Sequence, residues 1–180
     1  MSSKWLLFAV SAMLAGSAIA AEKGSSGVTP NLDKGTKVLE GAGYLNVMGD
    51  ELQIQLAYGQ LVADGLEVAL VAGLLDNDRY MSTELGVRAE YNLVRDSALV
   101  PFVNAGVVWA AVEADESNLD TDAAVASVGA GVKYFIRDDV ALALNGSYLL
   151  ATDDIFVDSD DGELNDDEFR ILFSVRFYFD

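Results

Sequence analysis

The stretch Phe169-Arg170-Ile171-Leu172-Phe173-Ser174-Val175-Arg176-Phe177-Tyr178-Phe179 decides how the rest of the chain is read. Its odd positions are all large and apolar, with phenylalanine at 169, 173, 177 and 179. Its even positions include Arg170, Ser174 and Arg176. A period of two is the signature of a β-strand, whose side chains point alternately to opposite faces. Phenylalanine on one face and arginine on the other suits a strand with hydrocarbon outside and a wet or ion-paired interior. A membrane-spanning β-barrel is built from such strands.

Working back from this strand, the same period recurs between turn signals. Eight segments are predicted, over 36–48, 51–62, 66–75, 82–94, 100–113, 123–136, 140–151 and 168–179. Lengths near ten residues suit tilted strands crossing a bilayer. Ala63-Asp64-Gly65, Arg95-Asp96-Ser97 and Arg137-Asp138-Asp139 read as short turns. The connections between strands three and four, five and six, and seven and eight read as longer and acidic. Short periplasmic turns alternating with longer external loops are the rule in outer-membrane barrels. The first hairpin departs from it, with a tight turn at Gly49-Asp50.

Phase assigns the faces. The lipid-facing sets are Leu39, Leu45, Val47; Leu52, Ile54, Leu56, Tyr58; and Leu66, Val68, Leu70, Leu74. They continue through Leu85, Val87, Ala89, Tyr91; Val103, Ala105, Val107, Trp109; Val128, Ala130, Val132, Tyr134; and Val140, Leu142, Leu144, Tyr148. Lys37 is the charge in phase with them, placed where its stem can snorkel to the headgroups. The opposite phase holds Glu40, Glu67, Glu84 and Glu90 beside Arg88, Lys133, Arg170 and Arg176, with Gln53, Gln55, Asn104, Asn145 and Ser147. Balanced acids and bases are what a narrow interior demands, because unpaired buried charge is costly. Gly86, Gly106, Gly129, Gly131, Ala141 and Ala143 make room for the long side chains. An eight-stranded barrel is just wide enough to be filled this way. The lumen is expected to be a plug, not a pore. Tyr58, Tyr91, Tyr134, Phe177 and Phe179 fall at one interface and Trp109, Tyr148 and Phe169 at the other, as aromatic belts do.

Residues 1–20 read as a secretory signal peptide. Lys4 precedes a short apolar run from Trp5 to Ala15, and Ala18-Ile19-Ala20 supplies a small-residue cleavage site. Residues 21–35 are polar and Gly/Ser-rich, a short periplasmic leader before the barrel domain of 36–180. Cysteine is absent, which excludes a lipid anchor and disulfides. The formal net charge of −18 argues against nucleic-acid partners.

Together these residues resemble the small eight-stranded outer-membrane β-barrels of Gram-negative bacteria, the OmpA/OmpX-like group. The resemblance spans about residues 36–180. Its most specific pieces are the aromatic final strand and the hairpin Gly129–Leu142. It implies an all-β, antiparallel, up-and-down transmembrane barrel, exported to the bacterial outer membrane. The implied partners are outer-membrane lipid, lipopolysaccharide and the barrel-assembly machinery, and the expected state is monomeric. Family members usually end on an aromatic, whereas Asp180 follows Phe179 here. No peptidoglycan-binding domain is expected after the barrel.

Chemistry is sparse. Histidine is absent, so the usual neutral-pH base and every Ser/His or Cys/His nucleophile are missing. Glu84 and Glu90 share a face, and the expected partners for them are Arg88 and Arg170. The acidic segments 113–122 and 152–168 contain no base. Asp161-Gly162 with Glu168 imitates part of an EF-hand, but Val157 and Ser159 would stand at its first and third positions, so the ligand set fails. No catalytic, cofactor-binding or metal-binding residues are assigned. The leading expectation is a non-enzymatic barrel with a closed, ion-paired lumen and acidic external loops in a structural or surface-interaction role. The alternative is a narrow channel for small solutes or ions. A soluble, lipocalin-like barrel is disfavoured because its interior would have to be apolar.

Overall fold

The computed structural model describes residues 27–46, 51–76, 80–114, 119–157 and 164–180. Its strands are β1 (Lys37–Asn46), β2 (Glu51–Ala63), β3 (Leu66–Asp76), β4 (Tyr80–Asn92), β5 (Leu99–Ala114), β6 (Leu119–Arg137), β7 (Val140–Ala151), β8 (Phe156–Val157), β9 (Leu164–Asn165) and β10 (Asp167–Phe179). All but β8 and β9 close into one barrel in the order β1-β10-β7-β6-β5-β4-β3-β2, each pair antiparallel. Closure joins β10 to β1, with Lys37 opposite Phe179 and Gly43 opposite Phe173. Period-two patterning fixes which way each strand faces, because slipping by one residue would turn every apolar side chain inward.

That alternation is borne out wherever side chains are described. Leu56, Leu70, Leu85, Val107, Trp109, Val128, Ile171 and Phe173 lie exposed on the outer wall. Glu40, Glu67, Glu84, Glu90, Lys133, Arg170 and Arg176 are buried inside. Tyr58, Tyr91, Tyr134, Phe177 and Phe179 ring the end carrying the β2–β3 and β6–β7 turns, and Trp109 and Phe169 the other. A continuous exposed apolar wall is costly in water and favourable in lipid. Residues 1–20, expected as a signal peptide, Val47, the Gly49-Asp50 turn, and the side chains of Leu45 and Leu52 lie outside the described residues.

Two strand boundaries correct the sequence reading. The connection from β3 to β4 spans only residues 77–79, and β5 and β6 run on as a paired hairpin, with Ala111 opposite Asp122 and Ala114 opposite Leu119. Most of segment 113–122, expected as a loop, is therefore strand. The hairpin persists because its inner face covers the β7–β10 connection. Ala110, Ala123, Val125 and Leu149 bury Ile155 and Phe156 in the mouth of the barrel. Residue 156 also begins β8, whose two-residue pairing with β9 escaped the sequence reading.

The opposite end is closed by the segment before β1. Leu32 is buried with Val38, Leu61, Val100, Phe135, Ala141 and Tyr178. Its backbone is tied to three places on the rim: the Asn31 N–H donates to the Asp138 carbonyl, the Gly65 N–H to the Leu32 carbonyl, and the Gly35 N–H to the Leu61 carbonyl. Gly65 holds φ +75°, the left-handed turn conformation that glycine adopts without a steric penalty. Residues 27–36, all but the last of which fall in the stretch read as a polar leader, thus form a stopper under the barrel.

Candidate functional site

The chemistry-bearing residues converge on the lumen in two layers. Arg176 on β10 is the hub of the inner layer and is wholly buried. Its Nη1 donates to Glu90 Oε1 at 2.7 Å and to Oε2 at 2.9 Å, while Nη2 lies 3.2 Å from Glu40 Oε1. Arg88 on β4 donates to Glu40 and stands 3.6 Å from Glu67 Oε1. Lys133 on β6, also wholly buried, pairs with Glu90. Three carboxylates therefore face three cations, and the layer is formally neutral. Neutrality matters because desolvating an ion costs several kcal/mol unless its partners are close and well aligned.

Aromatic rings complete this layer. The Lys133 ammonium lies 5.2 Å from the Phe102 ring centre and 5.6 Å from that of Tyr178. The Arg176 guanidinium carbon lies 5.0 Å from Phe102. Both cations thus gain a π-face where water is excluded. Tyr178 packs in turn on Phe135, with ring centres 5.2 Å apart.

The outer layer is built on Arg170, whose Nη1 contacts Glu84 at 3.2 Å and Nη2 contacts Glu168 at 2.7 Å. Between the layers lies a cavity of about 60 Å³ with a mixed lining, in which Gln55, Asn104, Ser127, Asn145 and Ser147 stand beside Val71, Val108, Val125 and Leu149. Asn104 Nδ2 donates to Asn145 Oδ1, and Asn145 Nδ2 to Ser147 Oγ, both at 2.9 Å. That volume has room for several waters, and its walls supply the polar partners they need.

All eight interior charges predicted from phase are brought into these layers, but the expected pairing is only half right. Glu84 does meet Arg170. Glu90 meets Arg176 and Lys133 instead of Arg88, which reaches across the barrel to Glu40. Arg88 and Glu90 share a face of one strand, two residues apart, and opposite charges on facing walls lie closer to each of them. Glu168, read as part of an acidic loop, is the second partner of Arg170. Phe102 and Tyr178 were missed as site residues, although both fall in the inward phase. Among the described residues no cluster of three or more Asp, Glu, His or Cys could hold a metal ion. Asp115, Glu116, Asp158, Asp160, Asp161 and Glu163 lie outside the described residues.

Comparison with known proteins agrees with this geometry. The family model described as "Outer membrane protein beta-barrel domain" matches residues 6–177. No curated protein matches the sequence. Among solved structures, the N-terminal β-barrel domain of Pseudomonas aeruginosa OprF is similar with a TM-score of 0.63 at 18% identity, over 81% of this chain and 98% of that one. OprG from Pseudomonas aeruginosa gives 0.58 at 11% identity, over 84% and 99%. Neisserial surface protein A gives 0.54 at 16% identity, over 80% and 95%. All three are small outer-membrane barrels, and at these identities the likeness carries the fold alone. The family match, reached over nearly the whole length of a closed barrel with a greasy wall and a charged core, carries membership: this chain belongs to the outer-membrane protein β-barrel family.

Proposed function

We propose that this protein is a non-enzymatic outer-membrane barrel whose lumen is closed to axial flow and whose acidic outer end acts as a structural or surface-interaction element. The neutral layer of Arg176, Arg88, Lys133, Glu40, Glu67 and Glu90 carries this reading. It sets three cations against three carboxylates across the lumen, and apolar clusters stand beyond the charged lumen at both ends of the barrel. No imidazole is available as a base, and the carboxylates that face each other are occupied by cations. Exposed Asp122, Asp153, Asp154 and Asp166 gather at the end opposite the β2–β3 and β6–β7 turns and set its charge. Export by a signal peptide cleaved after Ala20, assembly by the barrel-assembly machinery, contact with lipopolysaccharide and a monomeric state belong to the same proposal.

Planar-bilayer recording tests it: the folded barrel is expected to give no steady conductance steps. Reproducible single-channel steps would favour the second reading, a narrow channel, for which the cavity between the two ion-pair layers is the supporting feature. Heat-modifiable gel migration after detergent extraction confirms folding in the same sample.

A further inference from the structure

The seam that closes the barrel is incomplete. β1 and β10 are partnered residue by residue from Lys37–Phe179 to Gly43–Phe173. Continuing that register would set Tyr44, Leu45 and Asn46 against Leu172, Ile171 and Arg170. All six residues are in strand. The first three are paired with Gln53, Leu52 and Glu51 on β2, and the last three with Asn145, Gly146 and Ser147 on β7. Across the seam they are not paired with each other. The ladder parts after Gly43, in the half of the barrel below Phe169, which faces Tyr148 at the outer aromatic belt.

Successive residues of a strand direct their N–H and C=O groups to opposite sides. At least one of Arg170, Ile171 and Leu172, and at least one of Tyr44, Leu45 and Asn46, therefore presents both groups to the gap. In hydrocarbon such groups cost several kcal/mol each unless something polar meets them. The interior cavity lies alongside: Asn145 and Ser147 of β7, Arg170 and Leu172 of β10, and Gln55 of β2 are among the residues that line it, and β1 contributes no described side chain to its wall. Apolar side chains stand at both axial ends, Leu32 and its neighbours at one and Ile155 and Phe156 at the other.

We propose that the barrel opens sideways, through a portal between β1 and β10 that joins the interior cavity to the lipid-facing surface just below the outer belt. Its contents are water and small hydrogen-bonding solutes, in keeping with a cavity of about 60 Å³. Water held there satisfies the strand edges that β1 and β10 leave free. The portal is compatible with an axially closed lumen and makes the cavity a side chamber.

The chain has no cysteine, so pairs can be introduced cleanly. Disulfides do not bridge Cα atoms more than about 7 Å apart. Gly41→Cys with Val175→Cys, partners in the closed ladder, is expected to oxidise in the folded barrel. Leu45→Cys with Ile171→Cys, partners only if the ladder continued, is expected to stay reduced. Amide exchange of the unmodified protein in lipid nanodiscs supplies a second readout: those amides of Arg170, Ile171 and Leu172 that point to the seam should exchange about 100-fold faster than those of Val175 to Tyr178. Ready oxidation of the 45/171 pair, or equal protection along β10, would overturn the portal.

Discussion

Arg176 grips both carboxylate oxygens of Glu90 from a single nitrogen, at 2.7 and 2.9 Å, across the interior of a barrel whose wall is hydrocarbon-facing. The two residues are 86 positions apart in sequence, on β10 and β4. Their meeting depends on every register between those strands being correct.

Removing one partner of that contact should be severe. Arg176→Leu leaves Glu90, Glu40 and Glu67 short of a cation, and an uncompensated buried charge costs roughly 3–5 kcal/mol. Urea titration of the barrel in lipid vesicles is expected to show a loss of that size. Glu90→Gln with Lys133→Met, which removes an acid and a base together, should cost less than the two single changes added. Strict additivity would refute the coupling.

Steric room is equally decisive at two glycines. A Cβ on Gly86 would stand 2.2 Å from the Val107 carbonyl oxygen, and one on Gly131 would stand 2.2 Å from that of Leu144 and 2.5 Å from Phe102 Cζ. Alanine at either site should destabilise by about 1–3 kcal/mol through overpacking. Gly41→Ala, which meets nothing within 4 Å, serves as the control and is expected to be close to neutral in the same urea titration.

The stopper segment hangs on Leu32. Leu32→Asp places a charge in the cluster of Val38, Leu61, Phe135 and Tyr178 and should undock residues 27–36. Trypsin cleavage after Lys34, expected to be slow in the unmodified protein and fast in the variant, is the measurement. An unchanged digestion pattern would show that Leu32 does not hold the segment.

Acid should loosen the same segment. The Lys34 N–H donates to Asp64 Oδ1 at 3.0 Å and Arg95 lies 3.4 Å from Oδ2, so the carboxyl titrates below its ordinary value of 3.8. A depressed carboxyl contributes stability that is present above its unfolded value and is lost as pH falls through the folded one. The Lys34 amide resonance is therefore expected to titrate with a midpoint below 3.8, and Asp64→Asn should abolish the transition.

Much of this was legible in sequence, for a definite reason. Alternation on β2, β4 and β10 reports directly on burial, so the identity of each interior charge could be read from its phase. Pairing could not be read in the same way. Whether Glu90 meets Arg88 or Arg176 depends on relative height across the barrel, which is set by strand tilt and stagger and not by local pattern. The paired extension of β5 and β6 was hidden because alanine and aspartate are weak strand formers and only Ile155 and Phe156, distant in sequence, give it something to cover. The stopper was hidden for the opposite reason. A Gly/Ser/Pro-rich stretch reads as loop, and Leu32 had only Val28 for apolar company, with no period-two pattern around them. Its flanking turn formers, Pro30 and Gly35, were the available hint.

The stopper also has a bearing on the order of assembly. Its anchor points are Asp64 and Gly65 in the β2–β3 turn and Asp138 in the β6–β7 turn, hairpins that are not neighbours in the closed sheet. A berth made from such separated pieces does not exist until the cylinder has come full circle. The N-terminal segment, the first part of the described chain to be synthesised, is thus the last to find its place. In a refolding time course, protection at Lys34 should lag behind the strands and serve as a latch that reports completion.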